Sequence, residues 1–361
     1  MEFKFLNKSD LKEYVESKDF DGLPILPITV HRARSHWSNP KVGETHTLLI
    51  LVEESAELIG YLGAMPVRVN DKIDAGWLTC MWVSPKARGR GIAGEMLAKM
   101  NEAYKGKVLL GDFVPGTERV YLKTDSFTGP IATRGLRIYW RSDAETILPA
   151  RDPKWKPYAD FLKISDNVVN SISDLRFIFK RSPGPKFSFT EKLNAADQEF
   201  INARANGYSF GRDAEDLQWM FDFPWVLSGN PNDPLNSRYH FSAIDRDFKN
   251  YFLKLEDESG KPKAILLLIH RNDHLKIPHA YFEENALVDV AQILTHLIIE
   301  WKINTSTFFH PRLVQYFQAN RSKGLYQKQI TRSYIFSKGF TEEVNVEELI
   351  FQDGDGDVGF T

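Results

Sequence analysis

The stretch that decides the fold is VSPKARGRGIAGEML, Val83 to Leu97. Its first residue ends an apolar run, AGWLTCMWVSP (75–85). The run is followed by a short turn, a glycine-rich link and GIAGEMLAKMNEAYKG (91–106). In that last segment Ile92, Met96 and Met100 recur at helical spacing, with Ala93 and Leu97 beside them. The reading is strand, turn, helix. Gly89 and Gly91 let backbone amides approach a ligand without a Cβ in the way. A helix opening there directs free N–H groups and the positive end of its dipole at the same spot. That arrangement binds a phosphate or pyrophosphate, and Arg88 and Arg90 add positive charge around it.

Working outward, residues 2–6 (EFKFL) alternate like a strand, 9–17 read as a helix, and 23–40 is proline-bounded with one short helix. THTLLILVEE (45–54), ELIGYLGAMPVRVN (57–70) and 75–85 are β-rich runs joined by polar turns, which predicts an antiparallel meander. After the helix come a strand at 107–113, a helix from 118, and a strand-like run at 129–141 that closes the half. Residues 149–185, with five prolines, read as a linker around a connecting helix. The second half repeats the order loosely: strand 186–193, helical patches 194–206 and 213–222, and strand-like runs at 238–244, 250–256, 262–270 and 273–282. A long helix (286–302), strand, helix and final strand follow. The expected division is 1–148, 149–185 and 186–361, a tandem duplication in pattern rather than in identity.

Gly89, Gly91 and Gly94 also fit the dinucleotide fingerprint GxGxxG, with Asp112 near the acidic offset. That reading expects a parallel βαβ unit. Three antiparallel-looking strands precede the turn, so the dinucleotide fold stays the lesser alternative.

The segment Arg88-Gly89-Arg90-Gly91-Ile92-Ala93 resembles the cofactor loop [RQ]-x-x-G-x-[GA] of the GNAT (GCN5-related) N-acetyltransferases. Val120-Tyr121-Leu122-Lys123 with Phe127 resembles the family's LY-x-K-x-GF helix end, with one extra residue and no glycine. The resemblance covers residues 1–145 in element order and about 30 residues in motif detail. It implies a mixed α/β fold, a mostly antiparallel sheet with flanking helices, here repeated twice. It implies acetyl-CoA as co-substrate and a primary amine, on a small molecule or peptide, as acceptor. The amides of Arg88, Gly89, Arg90, Gly91, Ile92 and Ala93 would hold the pyrophosphate. The backbone of Met81, Trp82 and Val83 would hold the pantetheine and acyl carbonyl, with Val83 N–H facing the oxyanion. Tyr121 matches the tyrosine that serves as general acid. Asp112 is the candidate base, with His31 and His36 in the presumed acceptor region. Two competing readings are a CoA-binding scaffold without turnover and a GNAT-fold ligase using another activated donor such as an aminoacyl-tRNA.

The chain has 361 residues, 42% hydrophobic and 26% charged, with net charge −2. That balance argues against broad binding to nucleic acid or anionic membrane. No apolar run approaches the ~20 residues of a membrane span, and the start lacks a signal-peptide pattern, so a cytoplasmic protein is expected. The single cysteine, Cys80, excludes an internal disulfide and a CxxC zinc site. It reads as a small core hydrophobe, and no metal is expected. Trp77 and Trp82 have opposite parity, which predicts one on each face of the sheet. The second half has EENALVDV (283–290) where the first has its glycine link, and Glu283 and Glu284 would repel a pyrophosphate. The end, Asp353-Gly354-Asp355-Gly356-Asp357, reads as a solvated acidic tail.

Overall fold

The computed structural model describes residues 1–111, 113, 116–178, 184–320 and 324–361. Along the first part of the chain run β1 (Glu2–Leu6), α1 (Lys8–Glu16), α2 (Lys18–Asp21), α3 (Val30–Trp37), β2 (Leu49–Glu54), β3 (Glu57–Val69) and β4 (Ile73–Val83). They are followed by α4 (Ile92–Ala103), β5 (Val108–Gly111), α5 (Glu118–Leu122), β6 (Ile131–Tyr139), α6 (Ala144–Arg151) and α7 (Ala159–Ile178). Then come β7 (Ser188–Thr190), α8 (Ala195–Ala205), α9 (Ala214–Asp222), β8 (Leu227–Ser228), α10 (Pro234–Arg238), β9 (Ile244–Asp245), β10 (Phe248–Glu256), β11 (Pro262–Arg271) and β12 (His274–Phe282). The chain finishes with α11 (Leu287–Glu300), β13 (Thr305–Phe308), α12 (Pro311–Ala319), β14 (Tyr326–Phe336) and α13 (Lys338–Glu343). The fold class is the expected mixed α/β. In place of the strand read at 238–244 the chain forms α10 and a two-residue β9.

Contacts divide the chain into two compact units. One comprises Met1–Thr133, Glu191–Asn250 and Thr331–Thr361; the other comprises Arg134–Thr190 and Tyr251–Ile330. These units interleave along the chain, where the sequence suggested consecutive blocks at 1–148, 149–185 and 186–361.

In the first unit the strands lie in the order β1-β2-β3-β4-β5-β14. All neighbours are antiparallel except β4 and β5. In the second, β7-β10-β11-β12-β13-β6 repeat that order, with β12 and β13 again parallel. The run at 129–141 does not close the sheet of its own half. It forms β6 and pairs with β13, Ile138 opposite Ser306. The last strand of the chain instead completes the first unit, Ile335 opposite Leu110. Each half supplies the other's closing strand.

Helix α4 buries Ile92, Met96, Leu97 and Met100 against Ile50, Leu62, Leu78 and Leu110. At ~1.5–3 kcal/mol per large apolar side chain, that row fixes the helix under the sheet. On the opposite face α1 and α3 pack Leu11, Val15 and Ala33 over Leu49, Leu51 and Tyr61. In the second unit α11 and α12 cover β6 and β10 to β13 with Ile293, Leu297, Leu313 and Phe317.

The acidic end is not solvated. Gln352, Asp353 and Asp355 are buried in the first unit. Arg212 Nη2 donates to Asp355 O (2.6 Å), and Arg332 Nη1 pairs with the Asp353 carboxylate. Burial pushes the Asp355 carboxyl up to about 7, against the pull of Arg212. Phe360 stacks on Trp225 at 4.6 Å. Arginines far away in sequence supply the counter-charges that the terminal segment alone does not reveal. Among the described residues no helix is long and apolar enough to cross a membrane.

Candidate functional site

The glycine link forms a turn of two left-handed residues. Gly89 has φ +79° and Gly91 φ +81°, a region L side chains rarely enter. A Cβ added at either would meet no atom within 4 Å, so both face open space. Gly91 is the N-cap of α4, and among the described residues no side chain caps the helix. The first amides of an α-helix have no acceptor within it. Here they open on a cleft of about 740 Å³ lined by Val83, Arg88, Gly89, Gly91, Ala93 and Gly94, and on its far wall by Val120, Lys123, Thr124 and Ser126. Ile92 sends its side chain into the core, so only its backbone is on offer. Arg90 does not add its charge to the cleft as expected: its guanidinium grips Glu54 at the end of β2 with two bonds, 2.9 and 2.7 Å.

Beside this cradle the sheet opens. Among the described residues, strand β4 pairs with β5 only at Gly76–Val108 and Trp77–Leu109. Beyond Trp77, β4 carries a bulge. Gly63 faces Thr79 and Tyr61 faces Trp82, so Cys80 and Met81 stand opposite the single residue Leu62. Cys80 takes φ +41°, a strained value for a residue with a Cβ. The extra residue reverses the alternation. Both Trp77 and Trp82 therefore point away from α4, which corrects the expectation of one on each face. Trp77 packs edge-on to Phe210 and Tyr334, while Trp82 stacks between Tyr61 (5.4 Å) and His240 (4.7 Å). Met81 and Val83 turn toward the α4 side.

The bulge also aims a backbone donor. Ser84 N–H donates to Ile59 O at 2.8 Å, which makes Gly60–Val83 a pair without mutual hydrogen bonds. By the alternation of an antiparallel ladder, Val83 N–H then points to the other edge of β4, where pairing with β5 has ended. Trp82, in the adjacent bonded pair, directs its N–H toward β3.

Residues 13–124 match the family model described as acetyltransferase (GNAT) family. These residues are a GNAT domain. No protein of curated function matches the chain in sequence. Among solved structures, N-myristoyltransferase from Saccharomyces cerevisiae with bound myristoyl-CoA is 12% identical, over 93% of this chain and 82% of that one, with a TM-score of 0.49. A GCN5-related N-acetyltransferase from Anabaena variabilis is 12% identical over 92% and 72%, TM-score 0.47. One from Kribbella flavida is 9% identical over 93% and 70%, TM-score 0.47.

Within the GNAT domain, Tyr121 sits on α5, buried, its ring 6.3 Å from Phe113 and 6.0 Å from Phe127. Burial pushes its phenol up to about 12, so it stays protonated at neutral pH. The glycine missing from the helix end has a stand-in: Asp125 adopts φ +54° and bonds Lys338 Nζ at 2.7 Å. Asp112 lies outside the described residues. His36 is buried on α3 and stacked on Trp225 at 5.2 Å. Burial and then the Arg32 charge pull it down to about 3, which makes it a poor base. His31 Nε2 contacts Trp225 O (2.9 Å) and Thr29 Oγ1 (3.1 Å), and burial lowers it as well. On the bulge's far side Tyr239 Oη lies 3.4 Å from Cys80 Sγ and accepts from Arg32 Nη1 at 3.0 Å. Burial pushes the thiol up, so it is no ready thiolate. Sequence reasoning missed the Cys80 bulge, the Glu54 clamp on Arg90 and the Lys123–Ser126 wall. Among the described residues no group of His, Cys, Asp and Glu could hold a metal ion.

Proposed function

We propose that the chain is an acyl-CoA-dependent N-acyltransferase, moving an acetyl group from acetyl-CoA to a primary amine by direct attack in a ternary complex. The observation that carries this is the continuity of one cleft, from the left-handed glycine turn to Val83 beside the bulge. The residues fit the co-substrate. Uncapped amides at Gly91, Ile92 and Ala93, with those of the Arg88–Arg90 turn, suit a pyrophosphate. Lys123 supplies positive charge on the opposite wall. A thioester whose carbonyl meets Val83 N–H would find a fixed donor where negative charge develops. The backbone of Met81 and Trp82 would flank the pantetheine.

Tyr121 is assigned to protonate the departing thiolate, a role that requires a phenol still protonated at working pH. We assign catalysis to the segment 1–148 and a supporting role to 186–361, which has no glycine turn at the matching place. The acceptor is a small-molecule or peptide amine.

The test is release of free CoA from acetyl-CoA against a panel of amines, with myristoyl-CoA as a long-chain comparison. We expect turnover with acetyl-CoA. Binding without turnover on any amine would favour the scaffold reading instead. Once an acceptor is found, Tyr121→Phe should lower kcat by roughly 100-fold, the lower end of general-acid effects, with the acetyl-CoA KM little changed. A near-normal kcat would leave Tyr121 as a packing residue.

A further inference from the structure

Helix α7 lies in the second unit and is amphipathic the wrong way round. The face that meets its own unit is largely polar. Asp166 accepts from Ser142 Oγ (2.6 Å), Ala144 N (3.0 Å) and Glu145 N (2.9 Å), closing the start of α6. Asn170 exchanges two bonds with Ser142, 2.7 and 2.9 Å, and Asp174 pairs with Arg141. Among the described residues Leu162 is the large apolar side chain buried on this face. The outward face carries Phe161, Ile164, Val168, Val169 and Ile172, with Tyr158 just ahead of the helix, each between 37% and 68% exposed.

That stripe is too large to be incidental. At roughly 150–250 Å² per large side chain, its exposed part comes to on the order of 700 Å², above the ~300–600 Å² of a typical monomer's largest patch and near the ~800 Å² per partner of a standard interface. Phe161, Ile164 and Val168 follow a 3–4 spacing, and a seam so spaced runs straight along a helix and accepts another of the same kind. It is also self-complementary. A two-fold axis crossing between Asp166 and Asn167 sets Phe161 against the partner's Ile172 and Ile164 against the partner's Val169. Such an isologous contact closes at two copies. Charge argues against a lipid surface as the occupant: α7 holds Asp160, Asp166 and Asp174 against Lys163 and Arg176, not the Lys/Arg-rich polar face of an interfacial helix.

We propose that the outward face of α7 is the interface of a homodimer, two copies pairing through antiparallel α7 helices. Sedimentation velocity of the full chain across a concentration series tests it. The expected mass is twice the 41.5 kDa of one chain. Phe161→Glu and Ile172→Lys, each on an exposed position and each checked for a wild-type circular dichroism spectrum, should both reduce the protein to single chains. The double variant should restore the dimer, because the new charges face each other across the axis. Four results would overturn the proposal: a wild-type monomer throughout; a dimer that survives both single changes; a double variant that stays monomeric; or a wild-type monomer that floats with phosphatidylserine–phosphatidylcholine vesicles, which would make the face a lipid contact.

Discussion

The link between β4 and α4 and the link between β12 and α11 hold the same rank in their two units. Both pass through a 3₁₀ turn into a helix that, among the described residues, no side chain caps, and they differ in what joins turn to helix. The first turns through two left-handed glycines and leaves the helix end bare over an open cleft. The second goes from extended Glu283 through one 3₁₀ turn, Glu284–Ala286, straight into α11, with Ala286 in right-handed conformation. It carries two carboxylates, Glu283 and Glu284, and Arg312 reaches Glu284 at 3.4 Å. The shared scaffold thus does not confer the cradle. What sets the first link apart is its two residues in the left-handed region, Gly89 and Gly91.

The largest expected effect breaks that difference. Gly91→Val puts a branched side chain into the open space and into a backbone region that costs about 1–3 kcal/mol for such a residue. A ligand at about 100 times its Kd raises stability by roughly 2.7 kcal/mol. The thermal shift given by acetyl-CoA in the wild type should vanish in Gly91→Val. It should persist in Ala286→Gly, which alters only the second link. A shift that survives Gly91→Val would place the pyrophosphate elsewhere.

A smaller effect sharpens the comparison of what each unit buries. The first unit encloses Arg212, Asp216, Asp353 and Asp355, whereas the second buries Asp166, Lys254 and His279. In the folded chain Asp355 holds its proton up to about pH 7, against a reference value of 3.8. The folded state therefore binds more protons than the unfolded one across that window, and stability falls as pH rises through it. Asp355→Asn should flatten this part of the pH–stability curve and leave the protein as stable as the wild type, or more so, above pH 7. Denaturant titrations at several pH values read it out, and an unchanged slope would mean that Asp355 does not carry the proton.

The order of elements was legible because apolar periodicity separates helix from strand locally, as in Ile92–Met100 against Leu49–Val52. The glycine turn was legible because glycine suits the left-handed backbone at 89 and 91. Three features left no local trace. The bulge adds one residue inside the uniformly apolar run Leu78–Val83, so alternation alone put Trp77 and Trp82 on opposite faces. The exchange of β6 and β14 is a choice of pairing partner, which a strand's own residues do not specify. The burial of Asp353 and Asp355 depends on Arg212 and Arg332, which precede them by more than a hundred residues and by about twenty. Arg90 stands between these cases: its charge was visible, but its partner Glu54 comes from the end of β2, far back in the chain.

The central claim is that the chain has one CoA cradle and that it lies on the first unit. A calorimetric titration of the full chain with CoA tests it most directly. The account predicts a single site per chain, with its heat lost in Gly91→Val and retained in Ala286→Gly. Two sites per chain, or one site that Gly91→Val leaves intact, would contradict it.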